Sequence, residues 1–483
     1  MAAGCVKVAA GCASAKQQRD RIVRIGWKST VAAVLACCGV GPVPAVAAPD
    51  AAPRRPVLLI TIDGLRPDDV LEADKYRLSI PVLRSFLAKG AYARAVVNVS
   101  PSLTYPNHTT LVTGVYPAEH GIYNNPVLDP FGKEHGEWYS YYAEIKAPTL
   151  WHAAHEAGLV TASLCWPVTA HAADIDYNIP EFGRNGTDRT HYLLEAVSQP
   201  WGYLERIEQA IGPYYLQADI AANDRKIEAA ARIIIAEKHP DFMTIHLGSL
   251  DHEEHVHGPG SPEALATLEA LDAAVGRLVA AEQRVHPDAD IIIASDHGFY
   301  RWLHEVNLNV ALAKAGLITL RDPARKAVGS WKAFAWNGGM GMIVLQNPAD
   351  APTIAKVRQL LQALARDPDN GIDHIYEGEE IARLGIAPNA SFVVGFKEGY
   401  AMGSNLTGAL VETPETERGN HGALTSATIR PDVHSAFFMV GPDIAAGRDL
   451  GIIDMRQIAP TIARELAVSL PSAKQPPLPV RER

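Results

Sequence analysis

Cysteine is scarce in this chain of 483 residues, and most of it lies near the N-terminus. The cysteines are Cys5, Cys12, Cys37, Cys38 and Cys165. A single thiol beyond residue 38 excludes an internal disulfide there, so the rest of the chain must be stabilised by its hydrophobic core. Because Cys165 follows Ala-Ser-Leu at 162–164 in a strand-like run, we predict that it is a buried apolar residue and not a reactive nucleophile.

The N-terminal part lacks a hydrophobic run long enough to span a bilayer. Its apolar segment runs only from Thr30 to Val40, after a basic stretch that ends at Lys28. The sequence Ala-Val-Ala at 45–47 then offers the small residues that signal peptidase cuts. We therefore expect residues 1–47 to be a cleaved leader and the mature protein to be periplasmic or secreted, without a transmembrane segment. A disordered extension explains this order of features less well, and Leu35 argues against a lipid anchor on Cys37.

Positive charge is also in short supply once the leader is set aside. Residues 1–47 hold six Lys/Arg residues and one acid, which leaves a net charge of −15 on the remainder. Nonspecific binding along nucleic acid requires a positive surface, so we expect no stable nucleic-acid partner. An anionic small-molecule substrate would need a local positive charge, and a bound metal ion can supply one.

Apolar strands alternate with amphipathic helices along most of the chain. Examples are the strand runs 56–62 and 288–295 and the helical pattern of 261–283. This alternation predicts an α/β fold with a largely parallel central sheet covered by helices on both faces. We expect a core formed by 48–298 and 417–470, a smaller α/β lobe at 299–416, and a loose Pro-rich tail at 471–483.

Chemically active side chains follow several of the predicted strands. Asp63 comes directly after the strand 56–62, and Asp296-His297 follow the strand 288–295. Thr104 precedes a short predicted helix at 109–113. Ligands bind at the carboxyl ends of strands in open α/β sheets, and a helix N-terminus favours negative charge. Taken singly, however, Asp63 could cap a turn and Thr104 could be a helix N-cap.

A second group of candidate ligands combines carboxylate and imidazole side chains. Asp251 and His255 are four residues apart, which can place both on one face of a helical turn. His421 lies between glycines, where the backbone and a ligand can approach closely. Oxygen and imidazole ligands together suit zinc. With Asp63, Asp296, His297 and Thr104, the set is large enough for two metal sites.

One continuous block carries the most specific signal in the sequence. It consists of Thr104-Tyr105-Pro106-Asn107-His108, then Leu111-Val112-Thr113-Gly114-Val115-Tyr116-Pro117, and finally His120-Gly121-Ile122. With Asp251-x-x-x-His255-x-x-Gly258-Pro259 and Asp296-His297-Gly298, this block resembles the nucleotide pyrophosphatase/phosphodiesterase family of the alkaline phosphatase superfamily. The resemblance covers about residues 57–466. It implies an alkaline-phosphatase-like fold with a cap lobe between His297 and His421.

The resemblance also implies a role for each candidate residue. Asp251, His255 and His421 would bind one Zn²⁺, whereas Asp63, Asp296 and His297 would bind a second Zn²⁺ beside Thr104. The hydroxyl of Thr104 would attack phosphorus and form a phospho-threonine that water then hydrolyses. Asn125 would hold a phosphoryl oxygen, and Tyr105 would line the substrate pocket. Glu254 and Ala423 depart from the family pattern, which affects the expected pocket shape but none of the expected ligands.

The activity expected from this resemblance is hydrolysis of phosphodiester or pyrophosphate bonds in a small-molecule or nucleotide substrate. A phosphonate hydrolase similar to phosphonoacetate hydrolase, a phosphomonoesterase and a non-catalytic metal-chelating module are the alternatives. Monoesterases commonly add an Arg or Lys clamp for the dianion, and residues 98–125 contain neither. We therefore predict that diesters are preferred over monoesters.

Overall fold

The computed structural model describes residues 54–133, 137–182, 188–214, 220–322, 327–416 and 418–482. Residues 51–483 form one compact unit. The predicted leader, residues 1–47, lies outside the described residues, so its cleavage stays a prediction. Across the described ranges, no helix combines the length and the apolar character needed to cross a bilayer.

The strands alternate with helices along the chain. In chain order they are β1 (Val57–Ile62), β2 (Ala91–Tyr92), β3 (Ala95–Val97), β4 (Thr161–Leu164), β5 (Tyr177–Ile179), β6 (Phe242–Leu247), β7 (Asp290–Ala294), β8 (Tyr300–Trp302), β9 (His304–Val306), β10 (Ile318–Asp322), β11 (Ala327–Trp331), β12 (Ala333–Gly338), β13 (Met340–Leu345), β14 (Ile372–Glu377), β15 (Ala390–Phe396), β16 (Tyr400–Met402), β17 (Val411–Glu412), β18 (Arg418–Asn420), β19 (Phe437–Val440), β20 (Arg448–Asp449) and β21 (Ile452–Asp454).

The helices are mostly short, and two longer ones cover the sheet. In chain order they are α1 (Pro67–Leu71), α2 (Ala73–Tyr76), α3 (Pro81–Lys89), α4 (Thr104–Thr113), α5 (Pro117–His120), α6 (Leu150–Glu156), α7 (Asp188–Val197), α8 (Tyr203–Ile211), α9 (Ile220–Lys238), α10 (Ser249–His257), α11 (Pro262–Val285), α12 (Leu308–Lys314), α13 (Ala351–Ala365), α14 (Glu379–Leu384) and α15 (Ile458–Glu465). Ser261 caps α11 by accepting a hydrogen bond from the backbone N–H of Ala264.

The central sheet has eight strands in the order β20-β2-β19-β7-β1-β6-β4-β5. β1 pairs in parallel with β6 and β7, and only β19 runs antiparallel to its neighbours. Every residue of β1, β6 and β7 is buried, because hydrophobic clusters cover both faces of the sheet. Continuous apolar runs are typical of such doubly covered strands. The predicted α/β fold with a largely parallel sheet is confirmed.

The strands of a second sheet come after β7 and before His421 in the sequence. This sheet is antiparallel, with the order β12-β13-β15-β14, and it has a hydrophobic cluster of its own that includes Ile343, Phe392 and Val394. This arrangement agrees with a small α/β lobe in that part of the sequence. The domain boundaries at 299 and 416 stay predictions, since residues 51–483 form one compact unit.

The C-terminal segment differs from the loose tail that its prolines suggested. Leu478 and Val480 are buried in the cluster beneath the central sheet. The backbone N–H of Leu478 donates to Thr461 Oγ1, and the backbone N–H of Ala445 donates to the carbonyl of Val480. The prediction of a loose end is therefore wrong for residues 478–480, because two apolar side chains anchor the segment despite its composition.

Candidate metal centre

The candidate ligands meet at the carboxyl edge of the central sheet. Asp63 follows β1, the helix α10 begins two residues after β6, and Asp296 and His297 follow β7. Since these three strands are neighbours and parallel, their carboxyl ends open onto the same edge. His421 joins them from the loop that follows β18, more than a hundred residues later in the sequence.

One group of side chains surrounds the hydroxyl of Thr104. His297 Nε2 lies 3.2 Å from Asp63 Oδ1 and 3.2 Å from Asp296 Oδ2. Thr104 Oγ1 lies 3.4 Å from the same nitrogen. Asp63, Asp296 and His297 are buried, and their candidate ligand atoms lie within 4.8 Å of one another. The structure thus brings together the residues that the sequence assigned to the site beside Thr104.

A second group forms around Asp251 Oδ1. His255 Nε2 and His421 Nε2 each lie 3.4 Å from this oxygen, and the two nitrogens lie 3.1 Å apart. Asp251, His297 and His421 also lie within 4.8 Å of one another through their ligand atoms, so the two groups are contiguous. The rings of His297 and His421 are stacked, with centroids 3.6 Å apart.

Backbone carbonyls fix the orientation of all three histidine rings. His255 Nδ1 lies 3.2 Å from the carbonyl oxygen of Gly419, and His421 Nδ1 lies 3.2 Å from that of Ser102. His297 Nδ1 lies 3.2 Å from the carbonyl oxygen of Gly298. A carbonyl can only accept, so each Nδ1 must carry the hydrogen. In a neutral ring Nε2 then presents its lone pair to the carboxylates, as a metal-ligating histidine does.

Burial makes this cluster electrostatically unfavourable without a cation. Desolvation, followed by the charge of Asp296, raises the pKa of Asp63 well above its usual range. Burial also raises the pKa of Asp296 to about 7 and lowers that of His421 to about 4. Asp63 Oδ1, Asp251 Oδ1 and Asp296 Oδ2 are buried without a hydrogen-bond partner. Unpartnered carboxylate oxygens beside lone-pair nitrogens fit a divalent cation.

The spacing of these atoms suits zinc. Two ligands of a tetrahedral ion lie about 3.4 Å apart when the bonds to the metal are about 2.1 Å long. Asp63 Oδ1 lies 3.2 Å from His297 Nε2. Asp251 Oδ1 lies 3.4 Å from His255 Nε2 and 3.4 Å from His421 Nε2. Zinc accepts both donor sets, the first with two carboxylates and one imidazole and the second with one carboxylate and two imidazoles.

Thr104 is the first residue of α4, not the N-cap, because Leu103 holds that position. The helix therefore begins five residues earlier than predicted and places the hydroxyl at its positive end. The backbone N–H of Tyr105 donates to Asn125 Oδ1 at 2.9 Å. This bond orients the Asn125 carboxamide next to Thr104 and leaves its NH₂ group as the end that can serve an anion.

A cavity of about 270 Å³ opens beside Thr104. It is lined in part by Asp63, Asp251, Trp138 and Cys165. Trp138 lines the cavity, and the buried ring of Tyr105 packs edge-to-face against it with centroids 5.0 Å apart. The substrate contact expected of Tyr105 stays a prediction. Cys165 is buried as predicted, and burial raises the pKa of its thiol.

Sequence reasoning missed three polar residues beside this centre: His108 and His246, which contact its carboxylates, and Thr61, which contacts both of these histidines. His246 lies inside β6, and its Nε2 is 3.4 Å from Asp63 Oδ2. His108 was part of the predicted nucleophile block but was given no role, and its Nδ1 is 3.5 Å from Asp296 Oδ2. A histidine within an otherwise apolar strand was the available signal, since a buried imidazole needs partners.

Glu254, one of the departures from the family pattern, is buried directly before His255. Its Oε1 lies 3.9 Å from Arg66 Nε, and Arg66 also binds Asp69. Burial, followed by Asp69, raises the pKa of Glu254 well above its usual range. The other departure, Ala423, is buried, and its backbone N–H donates to Ser102 Oγ at 2.9 Å. Glu254 thus lies inside α10 next to a candidate ligand, and Ala423 fastens the His421 loop to Ser102.

About half of this chain is similar in sequence to known proteins. Human ectonucleotide pyrophosphatase/phosphodiesterase family member 1 is 28% identical over 255 residues, which are 50% of this chain and 23% of that protein. The venom phosphodiesterase of Macrovipera lebetinus is 26% identical over 258 residues, or 51% of this chain and 26% of that protein. The chain therefore matches about a quarter of the length of these curated relatives.

The same fold occurs in a solved structure of murine ectonucleotide pyrophosphatase/phosphodiesterase 5. Its TM-score is 0.60 at 21% identity, and the match covers 86% of this chain and 96% of that one. An inactive threonine-to-alanine variant of the murine protein, solved in complex with AMP, matches with a TM-score of 0.59. The family model described as type I phosphodiesterase / nucleotide pyrophosphatase matches residues 57–423, and the chain belongs to this family.

Proposed function

We propose that this protein is a zinc-dependent phosphodiesterase or nucleotide pyrophosphatase that uses Thr104 as its nucleophile. The observation that carries the proposal is the position of the Thr104 hydroxyl, 3.4 Å from His297 Nε2, at the helix terminus that faces both ligand groups. Family membership supports hydrolysis of phosphodiester or pyrophosphate bonds. The AMP complex of the murine relative supports a nucleotide as one substrate class.

The ligand groups define where two zinc ions would be held. Asp63, Asp296 and His297 would hold one ion beside Thr104, and Asp251, His255 and His421 would hold the other. Bound zinc would supply Lewis-acid stabilisation of negative charge on the attacking and leaving oxygens.

The chain itself supplies the nucleophile and its placement. Thr104 Oγ1 loses its proton and forms a bond to phosphorus while the bond to the leaving oxygen breaks; the leaving oxygen takes up a proton, which gives a phospho-threonine and a free alcohol or phosphate. Water then attacks the same phosphorus, the bond from phosphorus to Thr104 Oγ1 breaks, and one proton of the water restores the Thr104 hydroxyl as the phosphate product is released. The N-terminus of α4 favours negative charge at this point through the helix dipole.

Asn125 is the neutral donor for the phosphoryl group. Its Oδ1 is held by the backbone N–H of Tyr105, so the amide NH₂ can donate to an equatorial oxygen of the transition state. Removal of one such preorganised donor lowers kcat by about 10²–10³-fold in enzymes that stabilise an oxyanion. We expect Asn125→Ala to fall in this range with little change in zinc content.

The cavity favours a monoanionic diester. None of the described residues that line it is Lys or Arg, so the chain offers no side-chain cation there for the second charge of a monoester. Trp138 offers a flat apolar surface that suits a nucleobase or another aromatic group. We therefore expect a higher kcat/KM for an aryl or nucleotide diester than for the corresponding monoester.

Substitution of Thr104 tests the proposal directly. Thr104→Ala should lower turnover by about 10³-fold or more and leave the zinc content unchanged, because the other ligands remain. Thr104→Ser should keep part of the activity, since the hydroxyl survives. Thr113→Ala is the matched control: it removes a buried hydroxyl at the far end of the same helix, where that hydroxyl only donates to the carbonyl of Thr109.

Two results would contradict the proposal. Near-normal turnover by Thr104→Ala would mean that water attacks phosphorus directly. A zinc-loaded wild-type protein that hydrolyses phosphonates or monoesters in preference to diesters would assign it to one of the alternative hydrolases. Binding of two zinc ions without turnover of any phosphorus ester would instead indicate a metal-chelating module.

A further inference from the structure

Three buried polar side chains connect the nucleophile helix to the Asp63 carboxylate. Thr61 on β1 and His246 on β6 are opposite each other in the parallel register of these strands. His108 on α4 packs over them, with its ring edge-to-face against His246 and centroids 4.4 Å apart. All three are buried at the edge of the candidate metal centre, yet none is a predicted ligand.

The contacts form an unbroken series. His108 Nδ1 lies 2.9 Å from the carbonyl oxygen of Thr104, and His108 Nε2 lies 2.9 Å from Thr61 Oγ1. Thr61 Oγ1 lies 3.2 Å from His246 Nδ1, and His246 Nε2 lies 3.4 Å from Asp63 Oδ2. The nucleophile's backbone and the ligand's carboxylate are therefore the two ends of one polar connection.

The carbonyl end fixes the direction of the hydrogen bonds. A carbonyl only accepts, so His108 Nδ1 carries a hydrogen and, in a neutral ring, Nε2 accepts. The Thr61 hydroxyl then donates to His108, because this acceptor at 2.9 Å is closer than the Ile245 carbonyl at 3.3 Å. With its only hydrogen used, Thr61 Oγ1 can act towards His246 Nδ1 only as an acceptor.

The four contacts have one hydrogen too few. Three neutral side chains bring three hydrogens, so a neutral His246 ring can donate either to Thr61 Oγ1 or to Asp63 Oδ2, but not to both. In either case the ring lies between the two groups, so the placement of Asp63 is linked to the placement of the helix that carries Thr104.

We propose that Thr61, His108 and His246 form a positioning relay that holds the Asp63 carboxylate in fixed relation to the first turn of α4. The relay rests on the proposed metal centre and adds to it three residues that act through Asp63 and Thr104. Its function is to keep Thr104 Oγ1 and the Asp63 carboxylate at a fixed distance from each other. Such outer partners of metal ligands typically contribute 10–100-fold to metal affinity or activity.

Thr61→Val interrupts the relay and leaves every proposed ligand in place. Valine is also β-branched and suits a central strand, but it has no hydroxyl. We expect zinc affinity, measured by competition with a chromophoric chelator, to fall by about 10-fold or more at one of the two sites. On a nucleotide diester, kcat should fall by about 10–100-fold while KM changes by less than about 3-fold, because positioning acts on the chemical step.

Two variants serve as controls for this substitution. Thr61→Ser restores the hydroxyl and should bring zinc affinity and kcat back to within about 3-fold of the wild type. Thr244→Val makes the same change two residues before His246 on β6, where the buried hydroxyl donates only to Ser163 Oγ at 2.9 Å. Thr244→Val should leave zinc affinity and kcat unchanged, since the Thr244 hydroxyl donates to Ser163 and not to a residue of the relay.

A second pair of variants keeps the test decisive if Thr61→Val does not fold. His246→Gln retains an amide that can reach Asp63, whereas His246→Leu retains only apolar bulk. We expect the leucine variant to lose at least about 5-fold more zinc affinity than the glutamine variant. Wild-type zinc affinity in His246→Leu, or equal behaviour of Thr61→Val and Thr244→Val, would overturn the relay.

Zinc affinity also separates the relay from the proposed function. It is measured without substrate, so it reports on the relay even if the wild-type protein hydrolyses no diester. Loss of affinity in Thr61→Val with rescue in Thr61→Ser supports the relay in that case, while absence of turnover by the loaded wild type contradicts only the proposed function.

Discussion

Gly339 lies in the turn between β12 and β13, where the lobe sheet touches the loop that carries His421. A Cβ atom on Gly339 would lie 1.4 Å from the carbonyl oxygen of Gly422, the residue directly after His421. Real Cβ contacts are essentially never shorter than 3.0 Å, so the two backbones would have to separate by about 1.6 Å. Gly339→Ala should therefore move His421, one of the proposed zinc ligands.

The expected cost has two parts. The φ angle of Gly339 is 73°, a left-handed conformation that costs a residue with a Cβ about 1–2 kcal/mol. The backbone displacement comes in addition, and a misplacement of about 1 Å can lower catalysis by about 10²-fold. We expect Gly339→Ala to lose about 2 kcal/mol or more of unfolding free energy and at least about 10²-fold in kcat/KM, with weaker zinc binding at the His421 site.

Gly316→Ala is the matched control for the left-handed strain. Gly316 has a φ of 69°, and a Cβ there would have no described atom within 4 Å apart from those of Gly316 and its two chain neighbours. Urea unfolding, chelator competition and diester turnover should be measured on both variants. Gly316→Ala should lose only the strain, about 1–2 kcal/mol, and should keep its zinc and its turnover. Zinc affinity and kcat/KM of Gly339→Ala within about 3-fold of those of Gly316→Ala would refute the reasoning.

Four further predictions concern cofactor, substrate, location and pH. Removal of zinc with a chelator should abolish turnover, which re-addition of zinc should restore; full activity with less than one equivalent of metal would contradict the two-ion centre. The kcat/KM for a nucleotide diester should exceed that for the matched monoester, and the opposite order would show that the cavity holds a cation after all. We propose that the exported protein begins near Ala48, and mass spectrometry that finds residue 1 retained would exclude cleavage. Burial and the neighbouring Glu465 raise the pKa of Asp290 to about 7. The protonated carboxyl therefore contributes stability that is fully present below about pH 4 and is lost as the pH rises through about 7. In urea unfolding, the stability of Asp290→Asn should increase relative to that of the wild type over this interval.

Local sequence patterns predicted most of the elements that carry the site. The run 56–62 gave β1, and 288–295 contained β7, because continuous apolar residues favour a strand buried on both faces. The helix predicted at 261–283 was found as α11, since Ser261 followed by Pro262 is a strong helix start. These signals lie within a few residues of each other along the chain, so no knowledge of packing was needed.

Local patterns failed where distant residues decide the structure. The helix was predicted at 109–113 but begins at Thr104. The prediction missed the first turn because Thr104 and Asn107 are polar, although every residue of α4 is buried. The Pro-rich tail was expected to be loose, yet Leu478 and Val480 pack beneath the sheet. In both places long-range burial overrides local composition, which is a weak prior for structure.

The sequence by itself determined which chemistry the protein can perform. Carboxylates and imidazoles after strands, with a threonine before a helix, specify a metal-binding edge of an α/β sheet, because side-chain type and strand polarity are local properties. Only the tertiary structure decided how these groups meet. His421 reaches Asp251 across 170 positions of the chain, and Thr61 and His246 become partners only through the register of β1 and β6. The physical reason is that contact between distant segments depends on packing of the whole core, which no short stretch of sequence contains.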